Sequence, residues 1–374
     1  MKIAIIDADL IGRKRHRFPN LACMKISAYH KRFGDVVVLK TDYEGLSDFD
    51  KVYLSKVFTD TPVPEVVFSF SHLSYGGTGF YYDKAPALPF EIEHQMPDYH
   101  LYDEWVKTQM EHGGKRTEYA YYTDYSIGFL TRGCFRKCEF CVNRNYDRVC
   151  EHSPLAEFYD PARPKICLLD DNFFGSPNWK ALLEVLQATK KPFQFKQGLD
   201  ERLLTDEKCK LLFVSNYDGD YIFAFDNVAD AELIERKIKL VRKYTNAVLK
   251  FYCFTGYDRN DQWDDAFWAT DSFDLFTRIE ILSRNGCIPY VMRFARYTES
   301  PYRGMYVTLA RWCNQPAFFK KKSLREFAVA NGNESACYRY LKTFEEKHPE
   351  VAPFYDMNFQ LGGTHNELNA RQPV

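Results

Sequence analysis

Three cysteines, Cys134, Cys138 and Cys141, fall within the short stretch TRGCFRKCEFCVNR (131–144). Thiolates are soft ligands that suit zinc or an iron–sulfur cluster. A structural zinc site closes with four ligands, and Cys150 is the nearest candidate for the fourth. No second cysteine pair follows, and His152 is the only histidine between Cys134 and Arg311. A cubane 4Fe–4S cluster held by three thiolates keeps one iron open to a ligand the chain does not supply. Three thiols therefore point to a cluster that reacts with what it binds, with zinc as the alternative. The other eight cysteines (Cys23, Cys150, Cys167, Cys209, Cys253, Cys287, Cys313 and Cys337) are scattered, several inside apolar runs such as ICLLD and KFYCFTG. They read as reduced thiols packed as small hydrophobes, not as a disulfide framework.

The elements that must position the three thiols form a regular series. Strand candidates recur at 125–130 (YSIGFL), 165–170 (KICLLD), 193–197 (FQFKQ), 221–226 (YIFAFD), 249–256 (LKFYCFTG) and 288–294 (IPYVMRF). Helical patterns lie between most of them, such as NWKALLEVLQATK and SFDLFTRIEILSRNG. Alternation of this kind predicts parallel βαβ units and an open barrel over 125–300. The cysteines follow its first strand, at the carboxyl face where barrels build their sites.

Ahead of it, KIAII reads as a buried strand. FPNLACMKISAYHKRFG reads as a helix with Ala22, Ile26, Tyr29 and Phe33 on one face and Gly34 as its stop. DVVVLK, KVYLSKVF and EVVFSF read as further strands, so residues 1–100 predict a doubly wound, Rossmann-like α/β domain. SYGGTGF (74–80) matches no phosphate or dinucleotide loop and reads as a turn. The Pro-, Gly- and charge-rich stretch 84–124 predicts a connector with one short helix, its linker portion at 101–124. Residues 301–374 predict a C-terminal helical extension, with ACYRYLKTFEEKH as a helix and a loosely ordered tail GGTHNELNARQPV.

With an aromatic residue, Phe140, just before the last cysteine (CEFC), the cysteine spacing resembles the signature of the radical S-adenosylmethionine (SAM) superfamily. The six-strand series over roughly 120–300 is similar to that superfamily's partial (βα)6 barrel. The resemblance implies that Cys134, Cys138 and Cys141 hold a 4Fe–4S cluster whose open iron is chelated by SAM. Reduction then splits SAM to give a 5′-deoxyadenosyl radical that abstracts hydrogen from a substrate, with Phe140 flanking the adenine. It further implies that Asp170, Asp171 and Asn172, in LLDDNFFGS, lie where superfamily members bind the SAM ammonium; capping the next helix is the structural alternative. Gln197, Asp200 and Arg202 after the third strand, and Asp226 with Asn227 after the fourth, are candidates for the ribose or the SAM carboxylate. Thr255 and Gly256 could let the backbone approach adenine, and Arg293 faces either the barrel mouth or an ion pair. The N-terminal layout resembles the domain of cobalamin-binding radical SAM enzymes, although the Asp-x-His-x-x-Gly signature of a histidine cobalt ligand is absent. Cobalamin and methyl transfer follow as a second branch. An electron donor such as flavodoxin or ferredoxin is the implied partner.

A formal net charge of −1 in 374 residues gives no global field toward nucleic acid or membrane. The chain has no long apolar run and no leader at MKIAIIDADL, which predicts a cytoplasmic protein that does not cross a membrane. The local basic runs RKRHR (13–17) and KKK (320–322) read as solvated loops or as contacts for phosphate, from a nucleotide or RNA substrate. A zinc-stabilised nucleic-acid-binding module is the competing class.

Overall fold

A computed structural model describes residues 1–360. The chain forms two compact units, Met1–Lys196 and Gln197–Val374.

The first unit opens with four strands, β1 (Lys2–Asp7), β2 (Val36–Lys40), β3 (Lys51–Ser55) and β4 (Leu73–Gly76). They form a parallel sheet in the order β2-β1-β3-β4. β1 is buried from Ile3 to Asp7 because both faces of the sheet are covered, which is why its sequence is an unbroken apolar run. Ile3 and Ile5 pack on one face against Cys23, Met24 and Ile26 of the helix Leu21–Arg32. Ala4 and Ile6 pack on the other face against Leu46, Leu54 and Val67.

Three expectations change here. The second face is covered by 3-10 turns (Leu46–Asp48, Glu65–Ser69) and by the short helices Ala8–Gly12 and Thr78–Tyr81, whose Ile11 and Phe80 pack there, so no helix longer than five residues covers that side. Its connections, rich in Gly, Asp and Pro, carry no helical period. EVVFSF is one of those turns, with Val66 and Phe68 exposed, and the strand comes later at Leu73–Gly76. The helix Leu21–Arg32 buries Cys23, Met24, Ile26 and His30, whereas Phe33 is left 64% exposed.

Residues 84–124 are more than a connector with one short helix. They hold Phe90–Glu93, Asp103–Glu111 and Ala120–Thr123 as helices. Tyr102, Val106, Tyr119 and Tyr122 enter the same core as β1. Large rings spaced through a polar stretch bury enough area to fold it onto the sheet.

The first unit continues with β5 (Tyr125–Gly128), β6 (Thr131–Arg132), β7 (Cys150–Glu151), β8 (Lys165–Leu168) and β9 (Phe193–Phe195). β5, β8 and β9 are parallel neighbours in that order, and β6 and β7 form a short antiparallel pair. The second unit carries β10 (Tyr221–Ala224), β11 (Leu249–Thr255) and β12 (Ile288–Arg293), parallel in chain order. All six strands expected over 125–300 are present, shared between the two units. Between and after them come the helices Asp206–Phe213, Ala231–Val241 and Asp265–Arg284, then Arg303–Cys313, Leu324–Ala330 and Ala336–Lys347. The expected tail from Gly362 lies outside the described residues. Among the described residues no helix is long and apolar enough to cross a membrane.

Candidate cluster site

The hairpin β6–β7 presents the cysteine loop. Arg132 pairs with Cys150 across it, so residues 133–149 leave and return at one place. Gly133 starts the loop at φ +95°, where a Cβ would stand 2.5 Å from the Arg148 carbonyl oxygen. Only glycine closes this neck without strain.

Cys134, Cys138 and Cys141 are half-buried. Cys141 N–H donates to the Cys138 carbonyl at 2.9 Å, folding that segment into one turn. Backbone N–H groups also aim at sulfur: Arg136 N lies 3.3 Å from Cys134 Sγ and Asn143 N lies 3.4 Å from Cys141 Sγ. Asn172 Nδ2 donates to Cys134 Sγ at 3.3 Å. Donors of this kind stabilise a thiolate, the ligating form. The donor set therefore fits a metal–sulfur centre. Among the described residues, no three His, Cys, Asp or Glu side chains gather as a set for a single metal ion.

The acidic residues after β8 serve this loop. Asp170 is fully buried and accepts from Thr131 N and Thr131 Oγ1, both at 2.7 Å, and from Leu130 N at 3.2 Å. Asp171 accepts from Gly133 N at 2.8 Å and from Asn143 Nδ2 at 2.7 Å. Burial pushes both carboxyls up, Asp170 to about 7. Neither caps a helix: the 3-10 turn Phe173–Gly175 starts from Asn172 with no side-chain cap, and the next α-helix begins after Asn178. Asp170, Asp171 and Asn172 thus converge on the strand and loop that carry the cysteines. The ring of Phe140 is half-buried between the second and third.

The remaining candidates belong to the second unit. Gln197 is exposed there. Asp200 accepts from Arg202 Nε at 2.7 Å, and Arg202 also reaches Asp230 at 3.2 Å. Asp226 accepts from Phe254 N at 2.8 Å, and burial raises its carboxyl. Thr255 Oγ1 donates to Asp271 at 2.6 Å and Gly256 N to the same carboxylate at 3.0 Å. Tyr306 completes that group at 2.6 Å. The Arg293 guanidinium stacks on Tyr297, 4.4 Å from the ring centre.

Sequence reasoning missed Thr131, Asn143, Asp271 and Glu201. Glu201 is buried beside Asp200, and burial pushes its carboxyl to about 8. Asn143 carried a signal, standing two residues after the last cysteine. Asp271 carried none, because a mid-helix aspartate reads as a solvated one.

No known family model matches the chain, and no curated protein is significantly similar to it in sequence. Its fold does have solved counterparts. One is the radical SAM methyltransferase TsrM from Kitasatospora setae, with cobalamin and a [4Fe–4S] cluster bound. The match has a TM-score of 0.50 at 11% identity and covers 78% of this chain and 72% of TsrM. A second TsrM structure, with tryptophan substrate and the SAM analogue aza-SAM bound, gives 0.49 at 12% identity over the same shares.

Proposed function

We propose that this protein is a radical SAM enzyme whose Cys134, Cys138 and Cys141 hold a [4Fe–4S] cluster. The observation that carries the reading is a loop of three half-buried cysteines with N–H donors aimed at two of its sulfurs, braced by the residues that follow the next parallel strand. The cluster, when bound, supplies the electron that splits SAM into methionine and a 5′-deoxyadenosyl radical, which takes hydrogen from a substrate. The chain's own part is placement. Asp170 ties the end of β8 to the start of β6, Asp171 ties the neck of the loop to Asn143, and Asn172 shares its amide proton with the Cys134 sulfur. Phe140 offers a ring to the adenine. The acidic pair thereby acts as a brace, a role distinct from the ammonium contact the resemblance implies.

A cobalamin-dependent methyl transfer is the second reading, favoured by the shared fold with a cobalamin-bound methyltransferase. β1 ends in Asp7-x-Asp9-x-x-Gly12, with an acid where the cobalt-ligating histidine of the signature would stand. Asp9 is fully buried and accepts from Val57 N at 2.7 Å and from Thr61 Oγ1. A corrinoid held there would take no side-chain ligand from that position. Retention of hydroxocobalamin through gel filtration supports this branch, and a corrinoid-free spectrum retires it.

Anaerobically reconstituted protein should hold about four irons and four sulfides per chain. With SAM and dithionite, or a flavodoxin or ferredoxin as donor, it should release 5′-deoxyadenosine. Cys134→Ala should abolish both. A colourless wild-type protein carrying one zinc would sink the proposal.

A further inference from the structure

Tyr82 adopts φ +51° and ψ −113°, one of three non-glycine residues with positive φ among those described. A residue with a Cβ reaches this region only where its surroundings compel it, and such outliers gather at functional sites. Its side chain meets the cysteine loop. Tyr82 Oη donates to the carbonyl oxygen of Phe140 at 2.5 Å, between the second and third cysteines.

The neighbouring residue reaches the other side of the third cysteine. Asp83 Oδ2 accepts from Arg144 Nε at 2.7 Å, and the Asp83 carbonyl accepts from Asn145 Nδ2 at 3.0 Å. Arg144 in turn donates through Nη1 to the Glu139 carbonyl at 2.9 Å. The Asp83 side chain is 9% exposed and its carboxyl is held low by the Arg144 guanidinium, so the pair is partly shielded from water. Two consecutive residues, more than fifty positions upstream, therefore grip the loop on both sides of Cys141. Asp171 holds it independently from β8, through Gly133 and Asn143.

We propose that Tyr82 is a positioning residue of the cysteine loop. By donating to the Phe140 carbonyl it fixes the peptide that enters Cys141, and so sets how the third sulfur and the Phe140 ring meet the cluster and its sulfonium ligand. The role in catalysis rests on the radical SAM reading; the grip on the loop does not.

Tyr82→Phe removes one hydroxyl and keeps the ring. Hydrogen exchange of the apoprotein reads the grip without any cluster: amides over 138–145 should exchange roughly three- to tenfold faster than in wild type, as expected for one lost hydrogen bond. Asp83→Asn should do the same through Arg144. Tyr81→Phe, whose ring stacks on Tyr75, should leave the loop unchanged. In the reconstituted protein, Tyr82→Phe should keep its iron, while half-saturation of the SAM-induced change in the reduced cluster's EPR spectrum shifts upward by a similar factor. Wild-type exchange and wild-type SAM half-saturation in Tyr82→Phe would overturn the proposal. Wild-type protein that takes up no iron would overturn the radical SAM reading, and the exchange comparison would still decide whether Tyr82 holds the loop.

Discussion

Asp170→Asn separates two opposed forces on one buried carboxyl. Three donors favour its charged form, and complete burial disfavours it. Burial is the larger and lifts the carboxyl from 3.8 to about 7. A carboxyl that binds its proton more tightly in the folded chain than in the unfolded one weakens the fold as pH rises. The native state keeps the proton over a range where the unfolded state has released it, so stability falls between about pH 4 and about pH 7. With the side chain 1% exposed, solvent screening offers little relief, and the whole interval amounts to up to about 4 kcal/mol. Asparagine carries no such dependence. Its Oδ1 can keep both Thr131 donors, but its amide meets the Leu130 N–H, at a pH-independent cost of about 1–3 kcal/mol. Wild type should therefore lead in mild acid, and the gap should close or reverse above neutrality. Urea unfolding of the two apoproteins across that range measures it. Asp7 and Glu201, whose carboxyls are also raised, to about 7 and about 8, are common to both proteins and cancel in the difference. Parallel curves would mean that the three donors keep Asp170 ionised throughout, and the burial argument would be wrong.

Other substitutions test the first sheet. Gly77 has φ +106°, and a Cβ there would stand 2.2 Å from the Lys56 carbonyl oxygen, so Gly77→Ala should cost at least about 2 kcal/mol in thermal unfolding. Gly34, at φ +78° with open space around it, should cost only about 1 kcal/mol as Gly34→Ala. Arg13 lies 4.2 Å over the Phe58 ring and pairs with Asp60 at 2.6 Å, so Arg13→Ala should lose about 1 kcal/mol. Lys14 and Arg15 are exposed. Their double alanine variant should melt within about 0.5 kcal/mol of wild type, so any salt-dependent loss of tRNA binding in it would report phosphate contacts alone.

The six strands over 125–300 were legible because each is a short apolar run set off by helical periodicity, a pattern that local sequence fully contains. EVVFSF fooled the same rule: Pro62 and Pro64 precede it, and its exposed Val66 and Phe68 leave Val67 and the partly buried Phe70 to anchor the segment. Cys134, Cys138 and Cys141 were legible for a different reason, since ligand spacing is a property of one loop. Their supports were not. Asp171 could be placed near the site, yet its partners Gly133 and Asn143 depend on how a loop folds back. Tyr82 is fixed to that loop by a bond across 58 residues, and no periodicity marks it.

Residues 94–102 decide where the chain can be cut. Tyr99 Oη accepts from Ile127 N of β5 at 2.7 Å and donates to the Phe158 carbonyl at 2.6 Å. Arg163 is buried on the carbonyls of Tyr99, Tyr122 and Tyr125, at 2.9, 2.9 and 3.1 Å. Tyr102 Oη meanwhile donates to Asp7 at 2.9 Å, and both rings lie in the core of the first sheet. A chain starting at residue 125 would leave the Ile127 amide and the Phe158 carbonyl unsatisfied and strip Arg163 of two of its three carbonyls. Each orphaned buried group costs about 1–3 kcal/mol, and together with the lost aromatic core they rival the 5–15 kcal/mol that holds a typical domain folded. Expressed alone, residues 125–374 should therefore fail to protect the amides of β5 and β8 from exchange, whereas residues 1–196 should protect them as the full chain does. Native-like protection of β5 in the C-terminal piece would show that β5 and β8 stand without the segment before them, and that 101–124 is a linker after all.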